Sequence, residues 1–236
     1  MHLNDGVMAK GTIIAYHGWG FDSSCWDVWK QYLEPDFKLL LFEKGYFSDT
    51  QKAPSFPSES SLNIIFAHSF GLHQCPAEIY NQADLLFIFS GFRQFHPVAA
   101  QFQRRSRLVL KQMIDQFGEN PGHVLKEFYA NVYSPESPIP LPDDSLNEAL
   151  LLEDLKKLGN SEIELQKLKS VHKIGILHGF NDRIVPRAKG RELFSNLRSQ
   201  GKYFEIKECG HALPFTHHEQ CWSLIEPEIE QYLKHE

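Results

Sequence analysis

Leu62-Asn63-Ile64-Ile65-Phe66-Ala67-His68-Ser69-Phe70-Gly71-Leu72 is the stretch on which the reading of the fold turns. Its apolar run, rich in β-branched and aromatic side chains and bounded by Asn63, reads as a buried strand. The strand stops at Ala67-His68-Ser69-Phe70-Gly71, and Leu72 to Tyr80 reads as the first turns of a helix. In that context a small-x-Ser-x-Gly turn lifts a serine hydroxyl above the end of a sheet. Small flanking residues let the strand and helix backbones approach closely. Ala67 stands where the pattern usually has its first Gly, and Ala is the next smallest residue. Alone, the five residues fit an ordinary strand–turn–helix with a solvated serine about equally well, so the rest of the chain has to decide.

Upstream, Thr12-Ile13-Ile14-Ala15-Tyr16 reads as a strand ending in His17-Gly18-Trp19-Gly20. Asp22-Ser23-Ser24 supplies helix-capping side chains ahead of a short aromatic helix, Cys25 to Leu33, closed by Pro35. Phe37 to Phe42 is a second strand, and a polar loop rich in Pro and Ser, Gly45 to Ser61, leads to the strand that carries Ser69. Downstream, Asp84 to Phe89 is the next strand. After a long interval the sheet resumes at Lys173 to His178, followed by a helix opened by Pro186 and running to about Gln200. Tyr203 to Ile206 is the last strand, and His217 to Lys234 a final helix. Apolar strands alternating with helices predict an α/β fold, with a mostly parallel central sheet of about six strands covered by helices on both faces.

The interval holds no strand from Gln94 to Ser170. Phe102, Val109 and Met113 recur at helical spacing, Ile114 and Phe117 widen that face, and Gly118 ends the helix. Asn120-Pro121 opens a second helix. Ser134 to Asp144, with four prolines, is a stiff connector. Ser145-Leu146-Asn147-Glu148 and Ser161-Glu162-Ile163-Glu164 fit the capping-box pattern and open two more. The expected organisation is therefore a core of residues 1–91 and 171–236 with a helical lid, 92–170, inserted into it.

Composition excludes several classes. The 236 residues are 42% hydrophobic and 23% charged, enough for a sizeable core. A formal net charge of -6 argues against nucleic-acid binding. Cys25, Cys75, Cys209 and Cys221 are scattered without a CxxC, which argues against a zinc ribbon or redox pair. Met1 to Gly6 has neither a basic nor an apolar export region, so reduced thiols and a cytoplasmic location are expected. The longest apolar run, Leu85 to Phe89, is too short to span a membrane.

Three polar residues fall just past the carboxyl ends of predicted strands: Ser69, Asp182 and His211. Sites form there in open parallel sheets, and the order Ser…Asp…His is the one an α/β hydrolase uses. Ser69 is a poor nucleophile until His211 takes its proton, and Asp182 fixes the imidazole tautomer and stabilises its charged form. A tetrahedral oxyanion would be met by the backbone N–H of Phe70, at a helix start, and of Trp19. Each residue also has an ordinary explanation: Asp182 in an Asx turn, His211 as a turn residue, His17 bonded to loop backbone. His211, His217 and His218 lack any HExxH-like partner, so no metal site and no cofactor are expected.

Over nearly its whole length the chain resembles α/β-hydrolase-fold serine hydrolases. The matching landmarks are His17-Gly18-Trp19-Gly20, Ala67 to Gly71, Gly179-Phe180-Asn181-Asp182-Arg183-Ile184-Val185-Pro186 and Gly210-His211. Within them it looks most like the pimeloyl-ACP methyl ester carboxylesterases of biotin synthesis, which share an HGWG loop, a Trp-containing helix after it and an inserted helical lid. That resemblance implies Ser69 as nucleophile, Asp182 and His211 as its partners, Trp19 and Phe70 as oxyanion donors, and basic lid residues that bind an acidic carrier protein. The chain departs from the family at Ala67, at Phe42-Glu43-Lys44-Gly45-Tyr46-Phe47, and in having room for at most one strand before Thr12, so that the leading hairpin is shortened or absent.

Independently, Arg104, Arg107 and Lys111 fall at i, i+3 and i+7, opposite the apolar Phe102, Val109 and Met113, with Arg93 and Arg105 nearby. On an acidic chain such a stripe can steer an acidic partner such as acyl carrier protein, although solvated basic faces occur on many helices. The expectation is a monomeric serine carboxylesterase acting on pimeloyl-ACP methyl ester, with Trp19 and the lid lining the acyl channel. Alternatives are a general short-chain carboxylesterase or acyl-thioesterase, a lyase of the same fold as in menaquinone synthesis, and a non-catalytic ligand-binding module.

Overall fold

Alternation along the strands decides which side chains face which layer. The computed structural model describes residues 9–142 and 145–234. Its six strands are β1 (Gly11–Tyr16), β2 (Phe37–Leu41), β3 (Asn63–His68), β4 (Leu85–Phe89), β5 (Lys173–Gly179) and β6 (Gly201–Ile206). They form one sheet in the order β2-β1-β3-β4-β5-β6, and all five pairings are parallel. Every residue of β1 and β4 is buried, as expected for strands covered on both faces.

One face of the sheet carries Ile13, Ala15, Ile64, Phe66, Phe87 and Phe89. It packs on Trp26 and Trp29 of a 3-10 segment (Ser23–Trp29) and on the last helix of the chain. The other carries Ile14, Tyr16, Ile65, Ala67, Leu86 and Ile88 against Leu72, Tyr80, Leu193 and Leu197. Trp26, Trp29, Phe66 and Phe89 interlock, largely edge to face. Truncating one such buried ring to Ala costs about 3–5 kcal/mol.

Helices α1 (Lys30–Leu33), α2 (Gly71–Gln74) and α3 (Ala77–Tyr80) lie between the early strands. Between β4 and β5 come α4 (Ala100–Glu119), α5 (Pro121–Tyr133), α6 (Glu148–Leu158) and α7 (Leu165–Lys169). Then follow α8 (Arg187–Asn196), α9 (Leu213–Thr216) and α10 (His218–Leu233). The inserted helices build their own apolar cluster on Phe92, Leu110, Phe117, Leu125, Leu151 and Leu155. Polar ties join it to the loops of the core: the Trp19 indole donates to the Leu151 carbonyl, the Tyr46 hydroxyl to the buried Asp154 carboxylate and the Tyr129 hydroxyl to the Gly20 carbonyl, each at 2.8 Å.

Several local expectations change. The single helix read over Leu72 to Tyr80 is two, because Cys75 leaves the helical region at ψ 124° ahead of Pro76, which has no N–H to continue the ladder. Neither capping box forms. Asn147 caps α6, its side chain accepting from the Leu150 N–H at 3.1 Å, while Ser161 donates instead to the orphan Leu158 carbonyl at that helix's end. α4 runs through Gly118 and stops where Asn120 turns to cap α5. Between Gln94 and Ser170 only one bridge, Gln94 to Glu162, has strand pairing among the described residues. The shortened leading hairpin concerns residues 1–8, and Asp143 and Asp144 of the proline-rich connector lie with them outside the described residues. All four cysteines are free thiols. Among the described residues no helix is long and apolar enough to cross a membrane.

Candidate active site

The chain reverses its direction of travel across the sheet between β1 and β3, so their carboxyl ends open a crevice of the kind that hosts sites in such sheets. Register sets what meets there. Tyr16 pairs with Ala67, which brings the His17-Gly18-Trp19 turn beside His68-Ser69-Phe70. At the turn Ser69 adopts φ 53°, a left-handed conformation that an L-residue holds only where its surroundings enforce it. Part of that enforcement is Gly71: a Cβ there would sit 2.6 Å from the carbonyl oxygens of both Tyr16 and His17. Ala67 is accepted at the other end because its methyl lies in the dry face between sheet and helices.

Ser69, Asp182 and His211 converge although 142 residues separate the first from the last. His211 Nε2 is 2.9 Å from Ser69 Oγ, and His211 Nδ1 is 2.8 Å from Asp182 Oδ2. With the carboxylate on Nδ1, that nitrogen carries the proton and Nε2 accepts from the serine hydroxyl. Two turns make the approach possible: the loop after β5 and the loop after β6 touch at Gly179, where a Cβ would come 2.1 Å from the Gly210 carbonyl oxygen. The other carboxylate oxygen of Asp182 accepts from the backbone N–H groups of Ile184 and Val185, at 2.9 and 2.8 Å. Burial opposes the charge on Asp182, but the His211 and His178 rings beside it outweigh that and hold the carboxyl well below the usual carboxylate range. The Asx turn that was the ordinary explanation for Asp182 is therefore present, and the same side chain also holds His211.

Among the described residues, the backbone N–H groups of Trp19 and Phe70 donate to no other group of the chain. Phe70 stands at the N-cap of α2, so its N–H points out of the helix start. His17 is bonded to loop backbone: its Nδ1 lies 3.0 Å from the Gly18 carbonyl oxygen and its Nε2 3.2 Å from the Lys44 backbone nitrogen, with Glu43 Oε1 3.7 Å from the same Nε2. His217 and His218 have separate partners, Thr216 and Tyr32.

A cavity of about 1210 Å³ opens over Ser69, walled by Trp19, Phe70, Phe92, Met113 and Phe128. α4 lies across its mouth, which corrects the reading of that helix. Its buried anchors are Leu110 and Phe117, whereas Phe102 and Val109, expected to pack, are each 58% exposed and border the cavity. The packed stripe is rotated because the helix rests on α5 and α6 through one edge and spans open space with the next. Of the basic residues, Arg93 is ion-paired with Glu162 and Lys111 with Asp115. Arg104 and Arg107 are exposed and have no acidic partner among the described residues, and Arg105 borders the cavity.

Two histidines here were not singled out from sequence. His68 is fully buried and its Nε2 donates to the His211 carbonyl at 3.0 Å; burial, with the His211 ring beside it, pushes its pKa well down, so it acts as a neutral donor that pins the loop. His178 lies on β5 with its ring against Asp182. Their strand neighbours carry no sign of these partners, which only the three-dimensional register brings to them.

No protein-family model matches the chain, and no curated protein matches it in sequence. Among solved structures, an esterase from Exiguobacterium antarcticum superposes with a TM-score of 0.72 at 13% identity, over 94% of this chain and 92% of that one. A hydrolase from Oleispira antarctica gives 0.73 at 15%, over 97% and 92%. A bromoperoxidase from Bacillus anthracis gives 0.74 at 12%, over 94% and 92%. Near-complete coverage in both directions, with a six-stranded parallel sheet and helices on both faces, identifies the architecture: this chain has the α/β-hydrolase fold.

Proposed function

We propose that this chain is a serine carboxylesterase. The observation that carries the reading is the unbroken hydrogen-bond chain Ser69–His211–Asp182, at 2.9 and 2.8 Å, opening into an apolar cavity. Ser69 Oγ attacks the ester carbonyl carbon while His211 Nε2 takes its proton. Charge that develops on the carbonyl oxygen is met by the N–H groups of Trp19 and Phe70. His211 returns the proton to the departing alkoxide, leaving an acyl-serine and an alcohol. Water then attacks the acyl carbon, His211 takes its proton and passes it to Ser69 Oγ as the acid leaves. Asp182 stays ionised throughout and stabilises the imidazolium formed twice in the cycle. The pairing of esterases with a bromoperoxidase among the structural neighbours is a reminder that fold alone does not choose the reaction; the residues must.

Within this class the substrate we propose is the methyl ester of pimeloyl-ACP. Support comes from the apolar cavity, which takes an extended acyl chain, and from Arg104 and Arg107, exposed on α4 with no acidic partner among the described residues, beside Arg105 at the cavity wall. An acidic carrier held there would present its acyl arm to Ser69, with an on-rate that falls as salt rises. The test is turnover of methyl pimeloyl-ACP and of p-nitrophenyl butyrate by the wild type and Ser69→Ala, at low and moderate salt. Both substrates turned over by the wild type alone, with only the carrier-linked one salt-sensitive, is the expected result. Cleavage of the p-nitrophenyl ester alone discards the carrier-linked substrate, and activity surviving in Ser69→Ala discards the mechanism.

A further inference from the structure

Asp182 does not serve His211 alone. His178, on β5 and wholly buried, places its Nε2 2.8 Å from the Val185 carbonyl oxygen and 3.3 Å from Asp182 Oδ2, the same carboxylate oxygen that His211 Nδ1 reaches at 2.8 Å. Both neighbours of that nitrogen are acceptors, so Nε2 carries the proton. We propose that His178 is a positioning residue of the site: its one N–H ties the Val185 end of the Asp182–Val185 turn to the strand and shares the Asp182 carboxylate with His211. This role rests on the serine-esterase reading.

The surroundings are cut to fit the ring. Gly190 lies inside α8, where glycine costs roughly 1 kcal/mol relative to Ala. A Cβ there would come 2.5 Å from His178 Nδ1 and 3.2 Å from its Cγ, so the helix gives up a side chain where the imidazole sits. The Nδ1 atom has no partner among the described residues, which leaves Nε2 as the ring's only bonding atom. Other charged or titratable groups near the turn are accounted for. His68 on β3 donates to the His211 carbonyl. Cys209, beside Gly210, faces both Asp182 and Glu136. Arg183 follows Asp182 and borders the cavity. Glu205, the register neighbour of His178 on β6, is held by Arg191 and Tyr203. None of them duplicates the His178 contact with the Val185 carbonyl.

Loss of the donor has a signed consequence. With one N–H fewer on Oδ2, more of the Asp182 charge is available to the His211 imidazolium, so the acid limb of kcat/KM moves to higher pH. The loosened turn also lowers kcat, because a small displacement of an orienting group is costly. The test uses the full chain and p-nitrophenyl butyrate between pH 5 and 9, comparing wild type, His178→Phe, His178→Gln, Gly190→Ala and Ser69→Ala. Phe keeps the ring and removes the donor, and should lower kcat by roughly tenfold or more with KM nearly unchanged and the acid limb raised. Gln places an amide N–H near the position of Nε2 and should restore both. Gly190→Ala should lower kcat while changing no titratable group. Wild-type kcat and acid limb in His178→Phe would overturn the proposal, as would failure of Gln to restore what Phe loses. If His178→Phe does not fold, Gly190→Ala and His178→Gln decide, wild-type kcat in Gly190→Ala being the overturning result. Activity persisting in Ser69→Ala is a separate outcome, which removes the esterase reading itself.

Discussion

Asp182→Asn isolates the orienting carboxylate. The wild-type side chain is asked only to accept: from the Ile184 and Val185 N–H groups on one oxygen, and from His211 and His178 on the other. Asparagine has one accepting end and one donating end, so it cannot satisfy both sides. If its oxygen keeps the turn, its NH₂ opposes His211 Nδ1–H, and the ring must move its proton to Nε2, where it faces Ser69 and cannot act as a base. The expected loss in kcat is then about 10³–10⁴-fold, or roughly 4–5.5 kcal/mol of transition-state stabilisation, with stability lowered by only about 1–3 kcal/mol. If the amide turns the other way, the orienting contact survives and two buried N–H groups lose their acceptor, so the cost moves from rate to stability. Steady-state kcat on p-nitrophenyl butyrate, read beside a thermal melt, separates the two. A variant that keeps more than a tenth of wild-type kcat and also melts normally would refute the reasoning, because no orientation of Asn serves both sides.

Glu43 offers a pH test of stability. Burial disfavours its charge, but the His17 ring and the N–H groups of Gly45 and Ser23 win, lowering its pKa from 4.5 to about 2. A depressed carboxylate stabilises above its unfolded pKa and loses that contribution as pH falls toward 2. Glu43→Gln should therefore lower the stability read from the urea midpoint by roughly 3 kcal/mol at pH 7, with the gap reduced to about a quarter of that at pH 2.5; an equal gap at both pH values would refute it. Gly71→Ala should cost about 1–3 kcal/mol and most of the activity, since its Cβ lands on two backbone carbonyl oxygens that cannot yield without moving β1 or the elbow; a wild-type melt counts against this. Phe102→Gln, at an exposed position bordering the cavity, should leave stability within about 0.5 kcal/mol. It should raise KM several-fold for p-nitrophenyl octanoate but not for the acetate, and equal effects on both would show that the ring does not meet the acyl chain.

The strands were legible because each is short, apolar and bounded by turn residues, and a buried parallel strand has no other signature. Ser69, Asp182 and His211 were legible for a related reason: each follows such a strand directly, so finding the strand ends found the polar residues past them. The α2–α3 break at Cys75-Pro76 was visible as a proline but not as an outcome, because a helix can kink or stop there. Caps were misread where two candidates stood close together, Ser145 and Asn147, and the helix took the one that placed its oxygen over the Leu150 N–H.

By itself the sequence determined what depends on neighbours along the chain: strand and helix type, the alternation that makes a parallel sheet, the elbow around Ser69 and the order of the polar residues after the strands. Only the tertiary structure decided what depends on distant segments meeting. Helical periodicity identified an apolar stripe on α4, but which edge is buried depends on where α5 and α6 stand, and that leaves Phe102 and Val109 at the cavity mouth. Nothing beside His68 and His178 along the chain marks their partners, the His211 carbonyl and the Asp182 turn, which folding brings against them. Hydrogen-bond partners far apart in sequence leave no periodic trace in it, so the contacts that hold the site in place appear only once the chain has closed on itself.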